Sequence, residues 1–205
     1  MKLFLTSIGL PNKKIREAFL AILPKEPKLC SVLLIAYIRT KEEEKFLIFL
    51  KKEMTKVGIT DIYFFNLKKE IFAETTESKK TYDIIYMSGG STFEMLERIR
   101  QTKVDSFIKK YSARKNAIYF ALSAGSIIAG PNIETAGWGS EADDNPLNLK
   151  NLTGLKLTNL AIFPHFKKRL EKEVTAFQNK VTYPIIPLTD KQAVLIEDKK
   201  YKVIG

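Results

Sequence analysis

Two spacings of apolar residues alternate along the chain. Short, mainly apolar runs read as strands: Lys2 to Thr6, Ser31 to Tyr37, Asp61 to Phe65, Tyr82 to Met87 and Ala117 to Phe120. The second of these is apolar almost throughout, as a strand covered on both faces should be. Between the runs the spacing changes to that of helices. Asn12 caps a helix that starts at Lys13 and stops before Pro24. Thr40-Lys41-Glu42-Glu43 is a capping box, opening a helix whose apolar face includes Phe46, Phe49, Leu50 and Val57 and which Gly58 closes. Further helical signals run from about Thr92 to Arg100 and from Val104 to Tyr111.

This rhythm predicts an α/β fold: a three-layer sandwich with a mostly parallel sheet and helices on both faces. Right-handed crossovers then bring neighbouring strand C-termini to one edge. After Pro131 the texture changes. Residues Glu134 to Asn151 read as a long loop, Leu155 to Phe163 as extended chain, and Lys167 to Asn179 as a helix. Tyr183 to Leu188, Ala193 to Ile196 and Tyr201 to Ile204 read as short strands, with Glu197-Asp198-Lys199-Lys200 as the last turn. There is no repeat, low-complexity tract or linker, so residues 1–205 are expected to form a single domain. A chain of 205 residues, 45% of them hydrophobic, can bury a core of that size.

Composition narrows the function classes. The single cysteine, Cys30, lies in an apolar stretch and can form no internal disulfide. No uncharged apolar stretch approaches the ~20 residues of a membrane span. Met1 to Leu5 is too short for the apolar core of a signal peptide. The expectation is a cytoplasmic protein with no membrane partner. The net charge is +11, but the lysines fall in scattered pairs such as Lys51-Lys52, Lys68-Lys69 and Lys109-Lys110. No basic arm or nucleic-acid motif is present, so no nucleic-acid partner is expected. The charge reads as a solvated lysine-rich surface, with electrostatic attraction of an acidic substrate as the alternative.

Chemistry concentrates at two strand ends. Ala121-Leu122-Ser123-Ala124-Gly125-Ser126 follows an apolar strand and reopens as a helix, which is the geometry of a nucleophile elbow at Ser123. Gly89-Gly90 ends another strand. Ligands in open parallel sheets bind beyond such ends. The backbone amides of Gly90 and Ala124 could together form an oxyanion hole, although a glycine pair in this position also suits a simple turn. The chain has one histidine, His165, so a serine–histidine mechanism would have to use it; the alternative is a half-buried histidine among the aromatics of Phe163-Pro164-His165-Phe166. An acid is needed to orient the imidazole. Asp143 and Asp144 lie between serine and histidine, in an order that α/β hydrolases use. Glu134 also remains open, as does a solvated loop at Glu141-Ala142-Asp143-Asp144.

Several segments, in order, resemble the peptidase E family. They are Tyr86 to Leu96, Leu122 to Ser126, Pro131 to Thr135, Phe163 to Phe166 and Leu188 to Ala193. Together they run from about residue 82 to the C-terminus. The resemblance implies a serine peptidase on a fold similar to class I glutamine amidotransferases, without metal or cofactor, acting on small peptides. Aspartyl dipeptidases are the archetype and cyanophycinases are relatives. Carried onto this chain, it implies Ser123 as nucleophile, His165 as base, and the amides of Gly90 and Ala124 as oxyanion donors. Three features depart from the family pattern: Ser91 replaces a frequent Asn, Leu122 precedes the nucleophile, and Ala121 stands where a glycine would complete G-x-S-x-G. Counting forward from Ser123 to the archetype's acid position gives Trp138. Counting back from His165 gives Asp144, which is favoured, with Asp143 as the alternative. Lys167, Lys168 and Arg169 are candidates to receive a substrate carboxylate. Two rival readings keep this fold: a hydrolase of another acyl or isopeptide substrate, and a catalytically silent binding protein. Monomer and homodimer both stay open.

Overall fold

The apolar runs become the parallel strands of one sheet. The computed structural model describes residues 1–68, 71–140, 142–198 and 200–205. Strands β1 (Lys2–Thr6), β2 (Ser31–Ala36), β3 (Asp61–Asn66), β4 (Ile84–Met87) and β5 (Ile118–Leu122) are mutually parallel. Two short strands, β6 (Ala161–Phe163) and β7 (Ile185–Pro187), pair parallel in a separate two-stranded sheet. The last two, β8 (Ala193–Glu197) and β9 (Lys200–Ile204), return antiparallel beside β1. The seven-stranded order is β3-β2-β4-β5-β1-β8-β9.

Strand alternation divides the core into two. Leu3, Leu5, Leu33, Ile35, Ile85, Met87, Tyr119 and Ala121 face one side. There they pack against α3 (Thr92–Gln101), α4 (Val104–Ser112) and α5 (Ala124–Ile128), through residues such as Ile99, Ile108 and Ile127. Their neighbours Phe4, Val32, Leu34, Ile84, Tyr86, Ile118 and Phe120 face the other side, against Ile15 and Phe19 of α1 (Lys13–Ala21) and Leu50 and Met54 of α2 (Lys41–Lys56). A period of two in the strands thus produces the expected three layers. Both predicted caps form. Asn12 Oδ1 accepts from Ile15 N at 3.0 Å, and Thr40 and Glu43 bond reciprocally.

Four departures have local causes. On α2, Phe49 is 49% exposed and stacks on Phe46 instead of entering the core. At 100° per residue it lies one step off the buried Leu50–Met54 stripe. Of the stretch expected to be extended, only Ala161–Phe163 is a strand. Leu155, Leu157 and Lys156 donate to the carbonyls of Ile128, Ala129 and Gly130, satisfying acceptors that the end of α5 leaves open. Within the expected loop after Pro131, Glu134–Gly137 forms a 3-10 turn that buries Thr135 and Ala136. The helix expected from Lys167 begins as a 3-10 turn at Lys168–Leu170 and continues as α6 (Glu171–Gln178). Lys69, Glu141 and Lys199, assigned above to a surface pair, an acidic loop and a turn, lie outside the described residues. No helix among the described residues is long and apolar enough to cross a membrane.

Candidate active site

The elbow sits where β5 ends between β1 and β4. Ser123 has φ 46° and ψ −116°, a strained conformation for a residue with a side chain. Three interactions hold it there. Its N–H donates to Thr6 O at 2.9 Å, its carbonyl accepts from Ser126 N and Ile127 N, and the buried Ser126 hydroxyl bonds the β1 and β5 backbones. Gly125 is required for a different reason. A Cβ there would lie 2.6 Å from Met87 O and 2.7 Å from Ser88 O, both backbone atoms at the end of β4. Its own N–H donates to Ser88 O at 3.1 Å. The absence of a side chain lets α5 start flush against β4.

Ser123 Oγ lies 2.9 Å from His165 Nε2, and His165 Nδ1 lies 2.8 Å from Asp190 Oδ1. The small sheet makes this meeting. β6 and β7 run parallel with Phe163 opposite Pro187, so His165 and Asp190 leave corresponding strand ends. Leu188 N donates to Phe163 O and Phe166 N donates to Leu188 O, both at 2.9 Å, which locks the two exits together. The buried Ser7 adds a third tie by donating to Leu188 O and accepting from His165 N. His165 itself is in the left-handed region at φ 56°. Thr189 bonds Gln192 through both N and Oγ1, fixing the turn that carries Asp190. An ionised carboxylate only accepts, so the proton sits on Nδ1 and the Nε2 lone pair faces the Ser123 hydroxyl. Such a relay can take a proton from the hydroxyl and return it to a leaving group.

The acid on His165 is thus Asp190, and the sequence reading that favoured Asp144, with Asp143 as alternative, is corrected. Asp143 Oδ2 instead accepts from Thr92 Oγ1 at 2.6 Å and Thr92 N at 3.2 Å. Asp144 lies on the outer depression bordered by Gly90, Ser91 and Glu94. Glu134 accepts from Tyr183 OH at 3.0 Å. Trp138, which counting had put at the acid position, stacks on Phe177. The counting failed because it assumed that the acid precedes the histidine. One signal for Asp190 was present: like Ser123, Gly90 and His165, it closely follows an apolar strand, here within Leu188-Thr189-Asp190-Lys191-Gln192-Ala193.

Ser123, His165, Asp190, Asp143, Thr92 and Lys167 line one cleft of about 260 Å³, with Trp138 and Phe163 among its apolar walls. Among the described residues, the N–H groups of Gly90 (φ 141°) and Ala124 have no acceptor. Both amides flank the elbow. Of the candidate cations, Lys167 lines the cleft, and Lys168 pairs with Glu171 at 2.7 Å. Beneath the β1 exit, Glu53 is buried and accepts from Leu10 N and Tyr86 OH, each at 2.7 Å. Burial pushes its carboxyl above the ordinary range despite those bonds. Among the described residues, no group of three or more His, Cys, Asp or Glu is placed to hold a metal ion.

Comparison with known proteins gives this geometry a lineage. The description of peptidase family S51 matches residues 3–204. An uncharacterized peptidase of Pasteurella multocida is 27% identical over 145 residues, 68% of each chain, and one of Listeria monocytogenes is 28% identical over 155 residues, 73% of each. A solved structure of a candidate peptidase E protein from Listeria monocytogenes EGD-e superposes with a TM-score of 0.77 at 28% identity, covering 98% of this chain and 96% of that one. A peptidase from an acI-B1 actinobacterium, at 16% identity, shares the fold with a TM-score of 0.69 over 100% of this chain and 87% of its own. The match over nearly the whole sequence, on a sheet that ends in a serine elbow, shows that the chain belongs to peptidase family S51 and is a serine-type peptidase.

Proposed function

We propose that the protein hydrolyses small peptides through an acyl-enzyme on Ser123. The observation that carries this reading is the continuous relay from Ser123 Oγ through His165 to Asp190, with contacts of 2.9 and 2.8 Å. Ser123 Oγ adds to the peptide carbonyl while His165 Nε2 accepts its proton. The new oxyanion lies against the amides of Gly90 and Ala124. His165 then returns the proton to the leaving amine, the C–N bond breaks, and an ester to Ser123 remains. Water, deprotonated by His165, releases the acid. Asp190 holds the ring in the required tautomer and balances its charge while it is protonated.

The small cleft supports small peptides, being below the usual drug-sized range of about 300–1,000 Å³. Lys167 on its wall supports substrates with an N-terminal acidic residue, whose side-chain carboxylate it would face. A panel of Asp-X, Glu-X and neutral dipeptides tests the specificity, and Ser123→Ala and His165→Ala test the chemistry. Each variant should lose nearly all turnover, up to ~10⁶-fold in kcat, while remaining folded. A serine-directed fluorophosphonate should label the wild type and not Ser123→Ala. Full turnover by either variant would end the serine–histidine reading.

A further inference from the structure

Beside the catalytic cleft lies a second chamber of about 540 Å³. Trp138 and Asp143 line both spaces. On the cleft side Trp138 is joined by Phe163 and Leu170, and on the far side by Phe93, Leu152, Phe177 and Val181. Among the described residues that line the far side, none belongs to the Ser123–His165–Asp190 relay. The indole is tied down. Its Nε1–H donates to Glu173 O at 3.1 Å, its ring stacks on Phe177 with centroids 4.6 Å apart, and Lys180 Nζ lies 4.2 Å from its centroid. Two residues further on, Ser140 N donates to the Glu173 carboxylate at 2.8 Å. Gly139, between them, has φ 89°, and a Cβ there would run into that same carboxylate. A ring held at its edge, at its face and through the residues that follow is a fixed partition between the two spaces.

We propose that Trp138 is a specificity-determining residue that limits the size of the residue forming the ester with Ser123. The inference rests on the acyl-enzyme reading and extends it to a class of substrate: peptides whose acyl residue carries a short side chain, with bulky apolar and aromatic ones excluded. The layout sets the direction. The leaving amine takes its proton from His165 and so departs on that side of Ser123. The chamber lies beyond Asp143, which Thr92 holds two residues past the Gly90 amide. The acyl side chain is therefore the group that points toward Trp138. A cleft of about 260 Å³ has to take the leaving residue as well, which leaves little room on the acyl side. A packed aromatic wall discriminates by overlap: a phenylalanyl side chain could enter only by displacing the indole and breaking its contacts with α6. The apolar walls of the chamber suit such a side chain once the indole is removed. Truncating Trp138 should thus redirect specificity and not merely weaken binding.

The test reads binding and turnover separately. In the Ser123→Ala protein, titration calorimetry measures aspartyl-, alanyl- and phenylalanyl-leucine with Trp138 intact and after adding Trp138→Ala or Trp138→Phe. The affinity for phenylalanyl-leucine relative to alanyl-leucine should rise at least about 10-fold in Trp138→Ala, the scale on which a pocket discriminates by size. It should stay at its starting value in Trp138→Phe, whose ring still stacks on Phe177. Changing the leaving residue, alanyl-leucine against alanyl-tryptophan, should give no such shift. An unchanged ratio in Trp138→Ala, an equal shift in Trp138→Phe, a shift that follows the leaving residue, or no binding of any dipeptide overturns the inference. If Trp138→Ala does not fold, Trp138→Leu, which keeps an apolar side chain against Phe177, is read in the same way. The same ratios in kcat/KM are then measured with Ser123 intact. A shift in affinity together with no turnover by the wild type counts against the acyl-enzyme chemistry alone and leaves the partition standing.

Discussion

Replacing Asp190 by Asn tests which acid serves the relay. The substitution keeps the side chain's shape and removes its charge. An Asn carbonyl can still accept from Nδ1, so the loss comes from two sources. First, the imidazolium formed during acylation loses its counter-ion. Two unit charges about 4 Å apart interact by ~1 kcal/mol in water and by ~4 kcal/mol at the effective dielectric of a protein surface. The side chains of His165 and Asp190 are 41% and 49% exposed, which places the pair between those limits. Second, the Asn amide can turn its NH₂ toward Nδ1, which stabilises the tautomer that cannot accept from Ser123. The expected fall in kcat is therefore about 10- to 10³-fold, smaller than the ~10⁴-fold seen when the acid of such a triad is buried. The assay is steady-state cleavage of a dipeptide or aminoacyl anilide by Asp190→Asn and, in parallel, Asp144→Asn. KM should change little in the first variant, and the second should resemble the wild type. A kcat that survives Asp190→Asn but collapses in Asp144→Asn would refute the assignment.

Two further predictions concern the scaffold. Gly125→Ala should be destabilising, because the added Cβ meets two backbone oxygens at 2.6 and 2.7 Å. Overpacking of this kind costs about 1–3 kcal/mol, a Tm drop of ~2–12 °C for a chain of this length, together with lost turnover; an unchanged Tm would contradict the close approach of α5 to β4. Glu53→Gln reports on the buried carboxyl. Its folded value is raised by burial, so the wild type has this group's stabilisation in full below the ordinary carboxylate value of about 4.3 and loses it as pH rises through the folded value. The Tm of Glu53→Gln minus that of the wild type should thus become more positive between pH 4 and pH 8, and a constant difference would show that Glu53 does not titrate differently in the fold.

Local patterns in the chain determine much of the molecule. The apolar runs ending at Thr6, Tyr37, Met87 and Phe120 specify buried parallel strands, because a strand covered on both faces has no polar side. Asn12 and the Thr40–Glu43 box specify helix starts, since their side chains bond amides only three residues away. Ser123 and Gly90 stand out because a strand that stops in small residues must present a sharp turn, and His165 because it is the only histidine. Phe49 shows where patterning stops: it belongs to an apolar face by composition, yet one step of helical rotation takes it out of the core. Asp190 shows this more strongly. Twenty-five residues separate it from His165, and nothing in that interval fixes which carboxylate meets the ring. The parallel pairing of β6 with β7 decides it, through non-local backbone bonds at Phe163, Phe166 and Leu188 and the Ser7 hydroxyl. The same folding carries Asp143, an equally plausible acid by order along the chain, to Thr92 at the start of α3. A side chain's chemistry is written in the sequence, but its partner is set by which strand ends the folded backbone brings side by side.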